Sequence, residues 1–192
     1  MYNPVLYLLT FLLTVSPLIS SNSASSTQSV SGVIILDGTE TIEIWPAKDK
    51  SRIIALHITP ESYIADAVSG KPASISERKG DAVVAYYKTD RAGDNRVVAL
   101  IINIPEDFSP PVYARAAQVS RGEDQIIVWT DKGVMVTISV DTPIEPFLTR
   151  DTVTIDDINI NTDLLLWNQA YNMSIPARTA ANQVVILGKA RQ

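Results

Sequence analysis

His57 is the only histidine in the 192 residues, and cysteine is absent. A serine or cysteine nucleophile needs a general base within hydrogen-bond reach, usually an imidazole. Any such machinery would have to be built around this one ring. His57 lies in the apolar stretch 53–58, where strand alternation puts it on the face of Ile53 and Ala55, opposite Ile54, Leu56 and Ile58. The pattern predicts a partly exposed strand histidine making local hydrogen bonds. A zinc site of thiolates or several imidazoles is excluded by the same composition. No catalytic residue and no cofactor is assigned.

Calcium takes oxygen ligands alone. Asp157, Asn159, Asn161 and Asp163 are spaced as alternate positions of an EF-hand loop, and they are the calcium candidates. The series breaks where the loop is most demanding: Thr162 stands where glycine makes the sharp turn, and Asn168 where glutamate binds with both oxygens. A strand carrying Asp and Asn on its solvent face produces the same spacing, so no metal site is assigned. A pair of carboxylates for glycoside hydrolysis could come from any of the 21 acidic residues. Glycine-rich phosphate loops of the G-x-G-x-x-G or P-loop type do not occur. Asn172-Met173-Ser174 is a glycosylation sequon, with Asn172 as the acceptor. Trp45, Tyr63, Tyr86, Tyr87, Tyr113 and Trp129 are candidates for a sugar-stacking platform.

The elements that would position these residues are short and β-rich. Gln125 to Thr130 and Val134 to Val140 are β-branched runs joined by Asp131-Lys132-Gly133, a hairpin in which Gly133 supplies the positive φ. Residues 30–36 and 39–45 form a second hairpin around Asp37-Gly38. Further strands are expected at 51–58, 63–68, 81–89, 96–104, 113–119 and 182–188. Val97 to Ile102 is continuously apolar and reads as buried on both faces. The segment 107–112, with Pro110-Pro111, reads as a connection between sheets, and 74–80 and 90–95 as exposed loops. Leu164, Trp167 and Tyr171 fall at helical spacing behind Thr162, which predicts one short helix near 162–173. No sequence repeat stands out.

Residues 1–24 read as a secretory signal peptide or an uncleaved N-terminal anchor: the apolar run Val5 to Ile19 is followed by a serine-rich tract with small residues suited to cleavage. Residues 25–31 read as a flexible arm, and 32–192 as a single β-sandwich domain. Without disulfides the domain must be held by packing. The 16 basic and 21 acidic residues give a net charge of −5. That balance argues against nucleic acid and against anionic lipid, both of which require a basic patch. Membrane contact is expected only through an uncleaved leader.

The expectation is an all-β, mainly antiparallel sandwich or partly open barrel of seven to ten strands. It is secreted, periplasmic or at the cell surface, and it acts without catalysis as a structural or protein-interaction module that binds a protein partner or self-assembles. A carbohydrate-binding module is the first alternative and a carboxylate-based hydrolase the second.

Overall fold

The computed structural model of the chain describes residues 26–147, 152–168, 172 and 174–188. Twelve strands occur among them, in two groups of six. β1 (Gln28–Asp37), β2 (Thr41–Pro46), β3 (Ile54–His57), β4 (Tyr63–Asp66), β5 (Ala82–Thr89) and β6 (Asn95–Ile102) make a sheet of order β3-β2-β1-β5-β6-β4, closed by β3 against β6. β7 (Val112–Arg121), β8 (Gln125–Thr130), β9 (Met135–Ser139), β10 (Ile144–Pro146), β11 (Asp163–Asn168) and β12 (Arg178–Gly188) make another of order β10-β12-β11-β7-β8-β9, closed by β9 against β12. The all-β class holds, realised as two small closed barrels.

Reversing one order gives the other, so β7 to β12 repeat β1 to β6 element for element. The correspondence includes the parallel pairings of β4 with β6 and of β10 with β12. The repeat leaves a trace in the residues. Gly38, Ile42, Ile44 and Trp45 are matched by Gly122, Ile126, Val128 and Trp129, each 84 positions further on (38 to 122, 42 to 126, 44 to 128, 45 to 129). In both copies the glycine precedes the second strand of a hairpin and the two aliphatics point into the barrel, where Ile42, Ile44, Ile126 and Val128 are fully buried.

Each barrel has its own core, and a third core lies between them. Ile34, Ile42, Ile44, Leu56, Leu100 and Ile102 fill the first barrel. Ile126, Ile138, Ile158, Leu164, Leu166 and Ile186 fill the second. Tyr63, Ala99 and Ile101 of the first meet Tyr113, Leu165, Trp167 and Val185 of the second. The indole Nε1 of Trp167 donates to the carbonyl of Ala67 across this junction (2.9 Å), and the rings of Tyr63 and Phe147 stand edge to face with centroids 5.0 Å apart. The continuous apolarity of Val97 to Ile102 is thereby explained: Val97, Leu100 and Ile102 serve the barrel core, and Val98, Ala99 and Ile101 the junction, the alternation being broken at the register shift between Tyr86 and Tyr87.

The expected helix near 162–173 is a strand where the chain is described. β11 lies between β7 and β12, with Leu164 and Leu166 facing its own barrel and Leu165 and Trp167 the junction. A strand buried on both faces is apolar at every position, and periodicity alone does not separate it from a buried helix. Tyr171, the third member of the helical series, lies outside the described residues. The arm expected at 25–31 is also shorter: Gln28 to Ser31 pair with Tyr87 to Val84 of β5 as part of β1. The Asp and Asn series 157–163, read as the solvent face of a strand, lies in a loop that begins with one 3-10 turn, η1 (Ile155–Asp157), capped at Thr154, and only Asp163 begins a strand.

Candidate functional site

The hairpin turns at Asp37-Gly38 and at Asp131-Lys132-Gly133 form as expected, with Gly133 at φ 73° and its N–H donating to the carbonyl of Thr130 (3.0 Å). On β3, His57 and Ala55 face outward and Leu56 inward, as alternation requires. The Thr41 hydroxyl lies 3.3 Å from His57 Nδ1, and Asp94 lies 3.9 Å from Nε2. Catalytic use of a hydroxyl, an imidazole and a carboxylate places the carboxylate in hydrogen-bond contact with one ring nitrogen while the other takes the proton of the nucleophile. Here the carboxylate is too distant for a hydrogen bond, and the ring is largely solvated.

The calcium candidates do not converge on a cation. Asp163 is held by Arg115 through Nε (2.8 Å) and Nη2 (3.3 Å) and by Lys88 at 3.5 Å. Burial opposes its charge, yet Arg115, Tyr113 and Lys88 together outweigh that cost and hold its carboxyl below the ordinary range. Asp157 closes the capping box by accepting from the Thr154 N–H (3.0 Å). Asn161 sits at φ 67° in a turn. Asn159 accepts from Arg121, whose guanidinium fills the oxygen-rich loop itself, with acceptors at Ile155 O, Asp156 Oδ1, Asp156 O, Ile158 O and Asn159 Oδ1 between 2.9 and 3.3 Å. The loop thus carries its own organic cation. Asn172, the sequon acceptor, is exposed and bridges Arg178.

Among the described residues, the aspartates with a displaced pKa all move downward: Asp49, Asp66, Asp90 and Asp163. A general acid for glycoside cleavage requires the opposite displacement.

The aromatic candidates are mostly packed. Tyr63, Tyr87 and Tyr113 are buried, and the hydroxyl of the half-buried Tyr86 donates to the Pro111 carbonyl (2.8 Å). Trp129 is half-buried. Trp45 is different, being 48% exposed. It stands opposite Val33 on β1, and since Ile44 pairs with Ile54, the next step in register places Ile53 on its other side. Residues directly opposite in an antiparallel pair share a face, so Val33, Trp45 and Ile53 form one outward stripe across three strands, 39%, 48% and 54% exposed respectively.

Ala82, paired with Val33 on β5 and also exposed, continues the stripe. Its rim is the loop 47–52, in which Lys48, Lys50 and Arg52 are all exposed and Asp49 is the one acid. Trp45 Nε1 donates to the Lys50 carbonyl (3.1 Å), and Lys50 Nζ lies 6.0 Å from the ring centroid. These contacts fix the indole against the barrel. Glu43, on the same face one pair further along β2, is opposite Leu36 and half-buried.

Sequence reasoning named Trp45 and missed its neighbours. The signal was available in the Asp37-Gly38 turn, which sets Val33 across from Trp45, and in the Lys-Asp-Lys-Ser-Arg run at 48–52.

No protein-family model and no curated protein matches the chain. Among solved structures it is similar to drosophila Unr CSD456, at 14% identity over 86% of this chain and 63% of that one, with a TM-score of 0.28. The chain therefore spans less than two thirds of that structure. A likeness of this size carries no assignment of ligand. The expectation that net charge excludes nucleic acid is nonetheless withdrawn. The physical reason lies in the rim of Trp45: net charge averages the whole surface, and a local basic cluster is compatible with a total of −5.

Proposed function

We propose that the protein is an exported, non-catalytic interaction module of the cell envelope or cell surface, in which two fused barrels form a rigid body that presents the β1–β2–β3 face to a partner. The observation that carries this reading is the stripe Val33, Trp45 and Ile53. Three adjacent large apolar side chains are left in water, with Leu36 (50% exposed) further along β1 beside them, whereas Val68 on the same barrel and Val140, Ile160 and Ile175 in the second half of the chain are scattered singly. Scattered exposed aliphatics are ordinary, but adjacent ones with a polar rim mark recognition surfaces. Export is supported by the apolar run Val5 to Ile19 and the small-residue tract after it.

Two measurements test the reading. Fractionation of the native host with protease accessibility should find the protein outside the cytoplasm, and a purely cytosolic pool would overturn export. A photo-crosslinking residue at Val33 should give adducts in the native envelope, whereas one at Ser120 on the second barrel should not. Equal labelling from both positions would overturn the assignment of the face.

A further inference from the structure

The β1–β2–β3 face has two chemistries at once. Its centre is aliphatic and indole, from Val33, Trp45, Ile53 and Ala82, and its border is cationic, from Lys48, Lys50 and Arg52. Resting on the reading above, we propose that the partner of this face is an anionic lipid surface, with the stripe inserted among the headgroups and the 47–52 loop in contact with their phosphates.

Three observations favour this occupant. Tryptophan flanked by β-branched aliphatics suits the boundary between headgroups and acyl chains, where an amphipathic ring and hydrocarbon side chains are both accommodated. A single-stranded nucleic acid would call for successive aromatics on which bases stack, and this face offers one ring between two aliphatics. The rim complements the lipid in charge: it holds three basic residues and one acid on a chain whose net charge is −5. Asp49 is itself exposed and accepts from the N–H of Ser51 (3.1 Å), so it offsets one of the three basic charges and leaves the 47–52 rim at +2 (three basic, one acidic).

Placement agrees with the chemistry. Val33 is on β1, the first strand after the apolar run Val5 to Ile19, and eight residues separate Ile19 from Gln28. Fully extended, they reach at most about 28 Å, so a retained leader would keep the start of β1 within that distance of the bilayer. Lipid contact through the face revises the expectation that only the leader could meet a membrane, and it does so on local charge.

The experiment uses the full chain reconstituted in vesicles of phosphatidylcholine alone or with one quarter phosphatidylglycerol, with brominated acyl chains as fluorescence quenchers. Tryptophan emission should be quenched in the anionic vesicles and much less in the neutral ones, because each basic residue near the surface contributes roughly a five-fold gain in affinity. Quenching should be lost in Trp45→Phe, which removes the reporter, and in Lys48→Glu/Lys50→Glu/Arg52→Glu, which leaves the leader and the barrel cores untouched. Raising the salt should weaken it. Equal quenching in both vesicle types, persistence in the charge-reversed chain, or tight binding of a single-stranded oligonucleotide without lipid quenching would each overturn the proposal. Because localisation is read separately by fractionation, an exported protein with an unquenched Trp45 would refute the lipid partner and leave the export reading standing.

Discussion

Arg121 shows how one residue can change what a cluster of oxygens means. Alternating Asp and Asn at 157–163 were legible in the sequence as a cation-binding pattern, but the guanidinium that satisfies the loop comes from β7, more than thirty residues earlier, and spacing within the loop could not reveal it. Arg121→Ala leaves several carbonyls without that donor. Most of these acceptors are open to water and only the Ile158 carbonyl is part-buried, so at about 0.5–1.5 kcal/mol for a lost hydrogen bond the melting temperature should fall by a few degrees, with Arg121→Lys recovering only part of the loss; differential scanning calorimetry reads both. Asp163 makes a second residue-scale prediction. Its carboxyl is held below the ordinary range in the folded chain, so its stabilising contribution is present above the unfolded value near 4 and is lost as pH falls through the folded one. Urea denaturation midpoints should decline on acidification, and the decline should be shallower in Asp163→Asn. At the alkaline end, burial pushes the phenols of Tyr63 and Tyr113 up to about 12. Both favour the fold below about pH 10 and lose that contribution as pH rises toward 12.

At the scale of elements, the hairpins were readable because turn chemistry is local. Asp37-Gly38 and Asp131-Lys132-Gly133 state the reversal in the residues that perform it. β11 was not readable for the opposite reason: its all-apolar run reflects two surfaces, the second barrel's core and the junction, supplied by chain that is distant in sequence. Close approach of strands is equally non-local. A β-carbon at Gly32 would lie 2.2 Å from the Trp45 carbonyl oxygen and 2.8 Å from Ile44 Cγ2, so this glycine is what allows β1 and β2 to meet under the exposed indole. Gly32→Ala should cost on the order of 1–3 kcal/mol, as overpacking does, and should disturb Trp45 while leaving the second barrel intact. Chemical-shift changes confined to residues 28–102 would agree with this, and changes spread evenly over both barrels would not.

For the whole molecule, the class was legible and the duplication was not. Turn signals at short intervals announce an all-β chain, but the repeat of six strands survives in only a handful of matched residues, because a barrel core accepts any aliphatic of suitable volume. The shared core around Tyr113, Leu165 and Trp167 makes the two copies interdependent. Thermal unfolding should therefore be one cooperative transition. Tyr63→Ala, which empties the ring that faces Phe147 at a cost of about 3–5 kcal/mol, should separate it into two. Two transitions in the unsubstituted protein would contradict that coupling. The placement of β1 and β12 has a mechanical consequence. Each is flanked by neighbours on both sides, β1 by β2 and β5, and β12 by β11 on one side and β9 and β10 on the other. Detaching either strand therefore means breaking hydrogen-bond ladders on both of its edges and not on one.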